Sequence, residues 1–292
     1  MIFTSDLSVP EGPVLLKDNS WLVVEMGPDR GCVTRISEDG KDKEVIAQTG
    51  RPNGLAVDSD GVIWVAESRT PSLIRLTMDG HSEVVLNGCD GEDFLFPNDL
   101  VFGPDHALYM TDSGILFNDF APGGKVRADY MNVDIDGRVY RIDVRKTEIR
   151  KIDTGIRFTN GIVFGPDSKL YVNETLTGMV YRYEWKDGAV SGGREEFGNV
   201  IDPDAPEGMK GPDGMKFGMD GNLYVTVFGQ GDVTILGKSG EVVGRIRTAG
   251  RMPTNCAFGP NGSRRLYVTE DERGTMEVFE VDTDGYPLYT GG

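Results

Sequence analysis

Histidine is almost absent from this chain of 292 residues, which carries only His81 and His106. That scarcity argues against two common chemistries, because a His-bearing zinc motif and a Ser-His-Asp triad both need imidazoles set against other side chains. Cysteine is sparse as well. Cys32, Cys89 and Cys256 are odd in number and lack the close pairing of a metal-binding motif, so reduced thiols are expected. Lys and Arg number 30 against 47 Asp and Glu, a formal net charge of −17. Nucleic acid is an unsuitable partner for such a chain, since phosphate binding rests on clustered basic side chains. The opening stretch MIFTSDLSVPEGP has no basic segment followed by a long apolar run. Neither a signal peptide nor a membrane span is expected, and the expected location is the cytoplasm.

What the chain does contain is a phrase that returns six times. The copies begin as EGPVLLKDNSWLVVEMG at 11, PNGLAVDSDGVIWVAES at 52, PNDLVFGPDHALYMTDS at 97, TNGIVFGPDSKLYVNET at 159, PDGMKFGMDGNLYVTVF at 212 and TNCAFGPNGSRRLYVTED at 254. Aligned, they place Glu11, Asn53, Asn98, Asn160, Asp213 and Asn255 at one position, 42, 45, 62, 53 and 42 residues apart. Each is an oxygen ligand. Strand-rich repeats of this period favour a propeller, in which six units bring six side chains to one axis.

Each copy reads as a β-hairpin: a short apolar run, a turn rich in Gly, Pro and Asp, then an alternating run such as VIWVAE or ALYMTD. A second hairpin follows, as in SLIRLTMDGHSEVVL from Ser72 and GMVYRYEWKDGAV from Gly178. Four antiparallel strands make one blade. The expected fold is therefore all-β, a six-bladed β-propeller of four-stranded antiparallel blades forming one domain over 1–292. The last repeat runs out of chain near TMEVFEVDTDGYPLY, so residues 1–6 are expected to close the ring as the missing outer strand of the sixth blade, which removes an exposed edge. The long spacings place extra chain at 113–136 in the third blade and at 195–211 in the fourth, both overhanging the face that carries the oxygen ligands. Loops of such length are commonly functional.

Glu11, Asn98, Asn160 and Asp213 offer carboxylate and amide oxygens, which suit one hard divalent cation: Ca²⁺ first, Mg²⁺ or Mn²⁺ with waters, Zn²⁺ least. Two unit charges about 4 Å apart at an effective dielectric of about 20 repel by about 4 kcal/mol, and a divalent cation cancels that cost. The competing reading is that these are turn residues, Asn-Gly and Asp-Gly being strong turn signals, and for Asn53 and Asn255 periodicity does not separate the two. A second regularity stands fourteen residues on, at Glu25, Glu67, Asp112 and Glu174, with Glu270 at fifteen. These acids are expected to cap the second strand on the ligand face, where they would orient amides or hold water. Asp112, which begins the 113–136 insertion, is expected to reach the substrate.

Together Glu11-Gly12-Pro13, Pro97-Asn98-Asp99, Thr159-Asn160-Gly161, Pro212-Asp213-Gly214 and Thr254-Asn255-Cys256 closely resemble, in order and spacing, the senescence marker protein, regucalcin and gluconolactonase family of six-bladed propellers. The resemblance covers essentially the full chain. It implies that Glu11, Asn160 and Asp213 bind one divalent cation on the axis, that Asn98 binds it directly or through water, and that Asp213 is also a candidate base. One position departs. Regucalcin-type sugar-lactone hydrolases carry Arg two residues before the Asn of the second motif, where it contacts the sugar; here Phe96 stands there. With Phe94, Phe117, Phe120, Tyr130, Met131 and Met209 expected near the rim, the pocket should be less polar than an aldonolactone requires.

The expected function is metal-dependent opening of a lactone, with a small-molecule lactone or ester as partner. The cation would polarise the carbonyl, and Asp213, or else Glu11, would take a proton from the attacking water. Asn98 and Asn160 would hold the metal and point amide N–H groups at the developing oxyanion. Phe96, Asp112 and Asn53 are the expected substrate contacts, and Asp99 is a second carboxylate or a backbone cap. The alternatives are a metal-dependent phosphotriester or aryl-ester hydrolase and a non-catalytic calcium-binding protein, for which one axial site per 292 residues is a poor buffer. No feature of the sequence specifies an oligomeric state.

Overall fold

Short runs of β-branched and aromatic residues separated by tight turns can bury both faces only if sheets stack against sheets. The computed structural model, which describes residues 1–291, shows that solution. Six four-stranded antiparallel sheets are arranged as blades of a propeller, five of them in simple sequential order from the axis outward and the sixth completed by the N-terminal strand. The first blade comprises Pro10–Leu15, Trp21–Glu25, Cys32–Ile36 and Lys43–Gln48. The innermost strands of the next five are Pro52–Val57, Pro97–Phe102, Thr159–Phe164, Gly211–Phe217 and Pro253–Phe258, and neighbours touch all the way round.

The hairpin between first and second strands is set by one repeated conformation. Eight or nine residues after each ligand position stands a residue with positive φ: Asn19, Gly61, His106, Ser168, Gly221 and Arg264. An Asp just before it accepts backbone N–H groups, as Asp58 does from Asp60 and Val62, an Asx turn that fixes the reversal. His106 is therefore a turn residue, its Nδ1 3.2 Å from the Thr290 carbonyl.

The core is not one cluster but six, each lying between adjacent blades. Leu22, Val24 and Val33 of the first blade, for example, meet Leu55, Ile63, Val65, Ile74 and Leu76 of the second. This explains why second strands such as Ile63–Glu67 are buried throughout and read as continuous apolar runs.

Ring closure follows the sequence expectation. Ile2–Thr4 pairs antiparallel with Thr275–Glu280 as the fourth strand of the sixth blade, with Ile2 opposite Glu277. Phe3 packs edge-on against Tyr267 at 5.0 Å and Trp21 at 6.3 Å, which joins the last blade to the first. Segment 282–291, unassigned by any repeat, runs across the face opposite the ligand positions. It takes the amides of Met219 and Ser59 on the Asp284 and Gly291 carbonyls, and Tyr289 bridges to Phe102. Beside it lies a surface hollow of about 280 Å³ lined by Asp58, Trp64, Arg75 and His106, remote from the ligand ring.

The insertions differ in form. Residues 113–136 fold as the short helix Phe117–Phe120 with the single turns Pro122–Gly124 and Tyr130–Asn132. In the fourth blade the extra length starts earlier than expected, because its outer strands, Met179–Lys186 and Ala189–Asn199, are themselves lengthened before the loop at 200–210. Cys32, Cys89 and Cys256 are free and buried, and no helix is long and apolar enough to cross a membrane.

Candidate metal centre and its lid

Each innermost strand is interrupted by a register irregularity just after the ligand residue, as between Pro97 and Leu100 or Thr159 and Ile162. A bulge of this kind re-aims a side chain, here toward the axis. The residue after the ligand is often Gly for a tertiary reason. A Cβ on Gly161 would overlap the Asp213 carbonyl, and one on Gly214 the side chain of Asn255. The Asn-Gly and Asp-Gly pairs are thus contacts between blades and not hairpin turns. Where Asp99 replaces Gly, its carboxylate accepts the backbone N–H groups of Leu100 and, in the next blade, Ile162.

Glu11, Asn98 and Asn160 are 3, 3 and 6 % exposed. Asp213 alone of the four proposed ligands keeps more access to solvent. Burial, then repulsion from Asp213 and Asp99, raises the Glu11 carboxyl well above its ordinary range. Asp213 is raised well above its range by burial and by Asp99, and the neighbouring Asn160 amide offsets part of this. Burial also raises Asp99, with Lys216 as the nearest opposing charge. Three acids are therefore held in one another's field.

Hydroxyl side chains from the second strands fix the ring from behind. Ser113 Oγ accepts from Asn98 Nδ2 at 3.0 Å and donates to the Thr159 carbonyl; Thr175 Oγ1 accepts from Asn160 Nδ2 at 3.2 Å and donates to the Pro212 carbonyl. Asn255 Nδ2 donates to Glu11 Oε2 at 3.2 Å. Each of these bonds engages one of the two N–H groups of the Asn98 or Asn160 amide and leaves its oxygen unengaged. Asn160 Oδ1 is buried without any hydrogen-bond partner. Such an orphan acceptor among repelling carboxylates fits a bound cation, because it lacks only a positive charge. No three His, Cys, Asp or Glu side chains close on one point among the described residues, so a cation there must take amide oxygens along with Glu11 and Asp213.

The acids fourteen residues on perform a different task from the one expected. Glu67 Oε1 accepts from the N–H groups of Arg51 and Arg69, Glu174 from Arg157, and Glu270 from Met252 and Arg273. They anchor the loops that enter the innermost strands. Asp112 is corrected likewise: fully buried, its carboxylate accepts from Leu95, Phe96 and Gly114, so it holds the Phe96 loop and does not reach a substrate.

Phe96 stands two residues before Asn98, in the loop that enters the third blade. It is buried in a seventh apolar cluster with Ile115, Phe120, Ile135, Phe158 and Leu176, onto which Phe117, Tyr130 and Met209 pack. The 113–136 insertion is thus roofed onto loops of the third, fourth and fifth blades. Asn53 is buried in the ring beside them. The sequence reading missed the hydroxyls at thirteen and fifteen residues, Thr111, Ser113, Thr175 and Thr226, although their spacing was as regular as that of the acids.

The residues so far described make a six-bladed propeller with an acidic, oxygen-rich axis under the 113–136 insertion. Residues 9–271 match the SMP-30/Gluconolactonase/LRE-like region, and the chain belongs to that family. It is 27 % identical over 286 residues to a gluconolactonase of Zymomonas mobilis, covering 92 % of this chain and 78 % of that one. A lactonase drp35 of Staphylococcus epidermidis is 26 % identical over 255 residues, 82 % of this chain and 73 % of the relative. Among solved structures, a gluconolactonase of Xanthomonas campestris superposes with TM-score 0.78 at 24 % identity, covering 98 % of this chain and 89 % of the other. A calcium-binding regucalcin of Agrobacterium tumefaciens gives 0.78 at 18 % identity over 100 and 99 %. These two likenesses concern the fold.

Proposed function

We propose that this protein is a divalent-metal-dependent hydrolase that opens a lactone. The observation that carries the reading is the axial cluster, in which Glu11 and Asp213 are raised together beside the unpartnered Asn160 oxygen. The lactonase activities named for its relatives support it. Glu11, Asn160 and Asp213, with Asn98, would hold the cation, for which Ca²⁺ is the first choice given the oxygen donor set. When bound, such a cation supplies Lewis-acid polarisation of the ester carbonyl.

The chain's own residues do the rest. Asn255 and Thr175 hold Glu11 and Asn160 in place. Asp213, the more accessible acid, takes the proton of a water whose oxygen attacks the acyl carbon. The ring C–O bond then breaks, and that proton returns to the leaving alkoxide, giving a hydroxy acid. Phe96 and Phe158 would face the substrate and Asn53 would complete the ring. The same reading takes 1–292 as one working domain in the cytoplasm. A screen of lactones and simple esters against metal-stripped protein, with Ca²⁺, Mg²⁺, Mn²⁺ and Zn²⁺ restored singly, tests it. Turnover of lactones only with a cation is expected; turnover unaffected by chelation would remove the metal from the mechanism, and none with any cation would favour a binding protein.

A further inference from the structure

Two residues before each ring position stand Val9, Arg51, Phe96, Phe158, Gly211 and Pro253. Four of them, Val9, Arg51, Phe96 and Phe158, lie in the loops just before the innermost strands, so the six form a tier of chain entering the ring from the lid side. Neighbours in the tier touch: the Arg51 guanidinium lies 5.1 Å from the Phe96 ring centroid, and Phe96 lies 5.8 Å from Phe158. Arg51 is the one charged member.

Its surroundings are unusual for a covered cation. The guanidinium is stacked 3.7 Å from the centroid of Phe117 in the lid and donates from one nitrogen to Ser68 Oγ at 2.9 Å. Glu67 and Asp271 feel its charge, but neither comes within 4.0 Å, and burial pulls its pKa down to about 10. Arg138, Arg141, Arg194 and Arg245 are also largely covered, and each has a carboxylate within that distance. Arg51, which is partly exposed, has none. Apart from the bond to Ser68 its N–H donors have no protein partner and keep contact with solvent, in a planar fork whose edge is suited to a carboxylate. Arg51 directly precedes Pro52–Val57, the strand that carries Asn53, which places it beside the axial site.

We propose that Arg51 selects the substrate by binding a carboxylate, so that the preferred lactone is one carrying an acid group on or next to its ring. This rests on the lactone-opening reading. Phe96 and Phe158 would cover the ring's apolar face.

The test compares 5-oxotetrahydrofuran-2-carboxylate with its neutral carboxamide, using the full chain with saturating Ca²⁺. The two differ in charge and little in shape. Wild type is expected to show a KM about 10- to 100-fold lower for the carboxylate, the size of a charged hydrogen-bonded contact. Arg51→Gln should raise KM for the carboxylate by about that factor more than for the carboxamide, and Arg51→Lys should restore part of the difference. Phe117→Leu, which loosens the lid contact alone, should affect both substrates in parallel. Equal KM values in wild type, or an Arg51→Gln effect equal on both, would overturn the assignment while leaving lactone opening intact. Turnover of neither compound would instead remove the hydrolase reading, and this inference with it.

Discussion

Replacing Asp213 by Asn should make the protein more stable without metal and less stable with it. Asp213 and Asp99 raise the Glu11 carboxyl, and Asp99 raises that of Asp213, in a buried setting, and two unit charges about 6 Å apart at an effective dielectric of about 20 repel by about 3 kcal/mol. Partial protonation relieves some of this in the metal-free protein. A net gain of about 1 to 2 kcal/mol at pH 8 is expected, which at about 2 to 4 °C per kcal/mol raises the melting temperature by about 2 to 8 °C. Wild type saturated with Ca²⁺ at about a hundred times Kd gains about 2.7 kcal/mol, and the variant should gain far less because one anionic ligand is gone. The two proteins should therefore exchange rank between chelator and Ca²⁺ in a thermal melt. Lactone turnover should fall by about 10² to 10⁴ where metal stays bound, the usual size of a general-base contribution. Equal melting in chelator with equal stabilisation by Ca²⁺ would refute both the repulsion and the ligand role of Asp213.

Further consequences follow from the same geometry. For Glu11, Asp99 and Asp213 the folded-state pKa lies above the ordinary carboxylate range, so their contribution is retained at low pH and lost as pH rises through the raised values. Chelated protein should melt higher at pH 5 than at pH 8, and Asp271, raised to about 6, adds in the same sense; a melt rising with pH across that window would contradict the burial argument. Ser113→Ala with Thr175→Ala frees both ring amides to rotate, and Ca²⁺ affinity by calorimetry should drop about 10- to 100-fold; unchanged affinity would show that the hydroxyls only join blades. Tyr289→Ala strips the 282–291 segment of its contact with Phe102 and Phe164 and should cost about 1 to 2 kcal/mol in a denaturant melt. Turnover should be preserved, since that face is opposite the ring, and a selective loss of activity would argue otherwise.

The propeller was legible because its signal is repetition. A hairpin phrase recurring with Glu11, Asn53, Asn98, Asn160, Asp213 and Asn255 in register fixes both blade number and axis, and a strand deficit at one end of the array matched by spare residues at the other predicts the Ile2–Thr4 pairing that is found. Segment 282–291 was not legible for the converse reason. It belongs to no repeat, and its partners, Ser59, Phe102 and Phe217, come from three different blades. The lengthened fourth blade was placed too late because a regular strand extension and a loop insertion add the same number of residues to a spacing.

Within the site, periodicity located side chains but could not say what they touch. The acids at fourteen residues and the hydroxyls at thirteen and fifteen are equally regular, and strand alternation puts them on opposite faces of the second strand. One face meets the blade's own entry loop, so Glu67, Asp112 and Glu174 bind backbone N–H groups. The other meets the next blade, so Ser113 and Thr175 reach the ring. Charge drew the first set into the reading of the site, yet charge is what a backbone amide recruits when buried, and the neutral hydroxyl is what can join an amide to a carbonyl without adding to a ring already too negative. Arg51 was hidden by the same bias. In sequence it is a basic residue in a loop, and only the fold stacks Phe117 of the lid on its guanidinium and leaves it without a carboxylate partner.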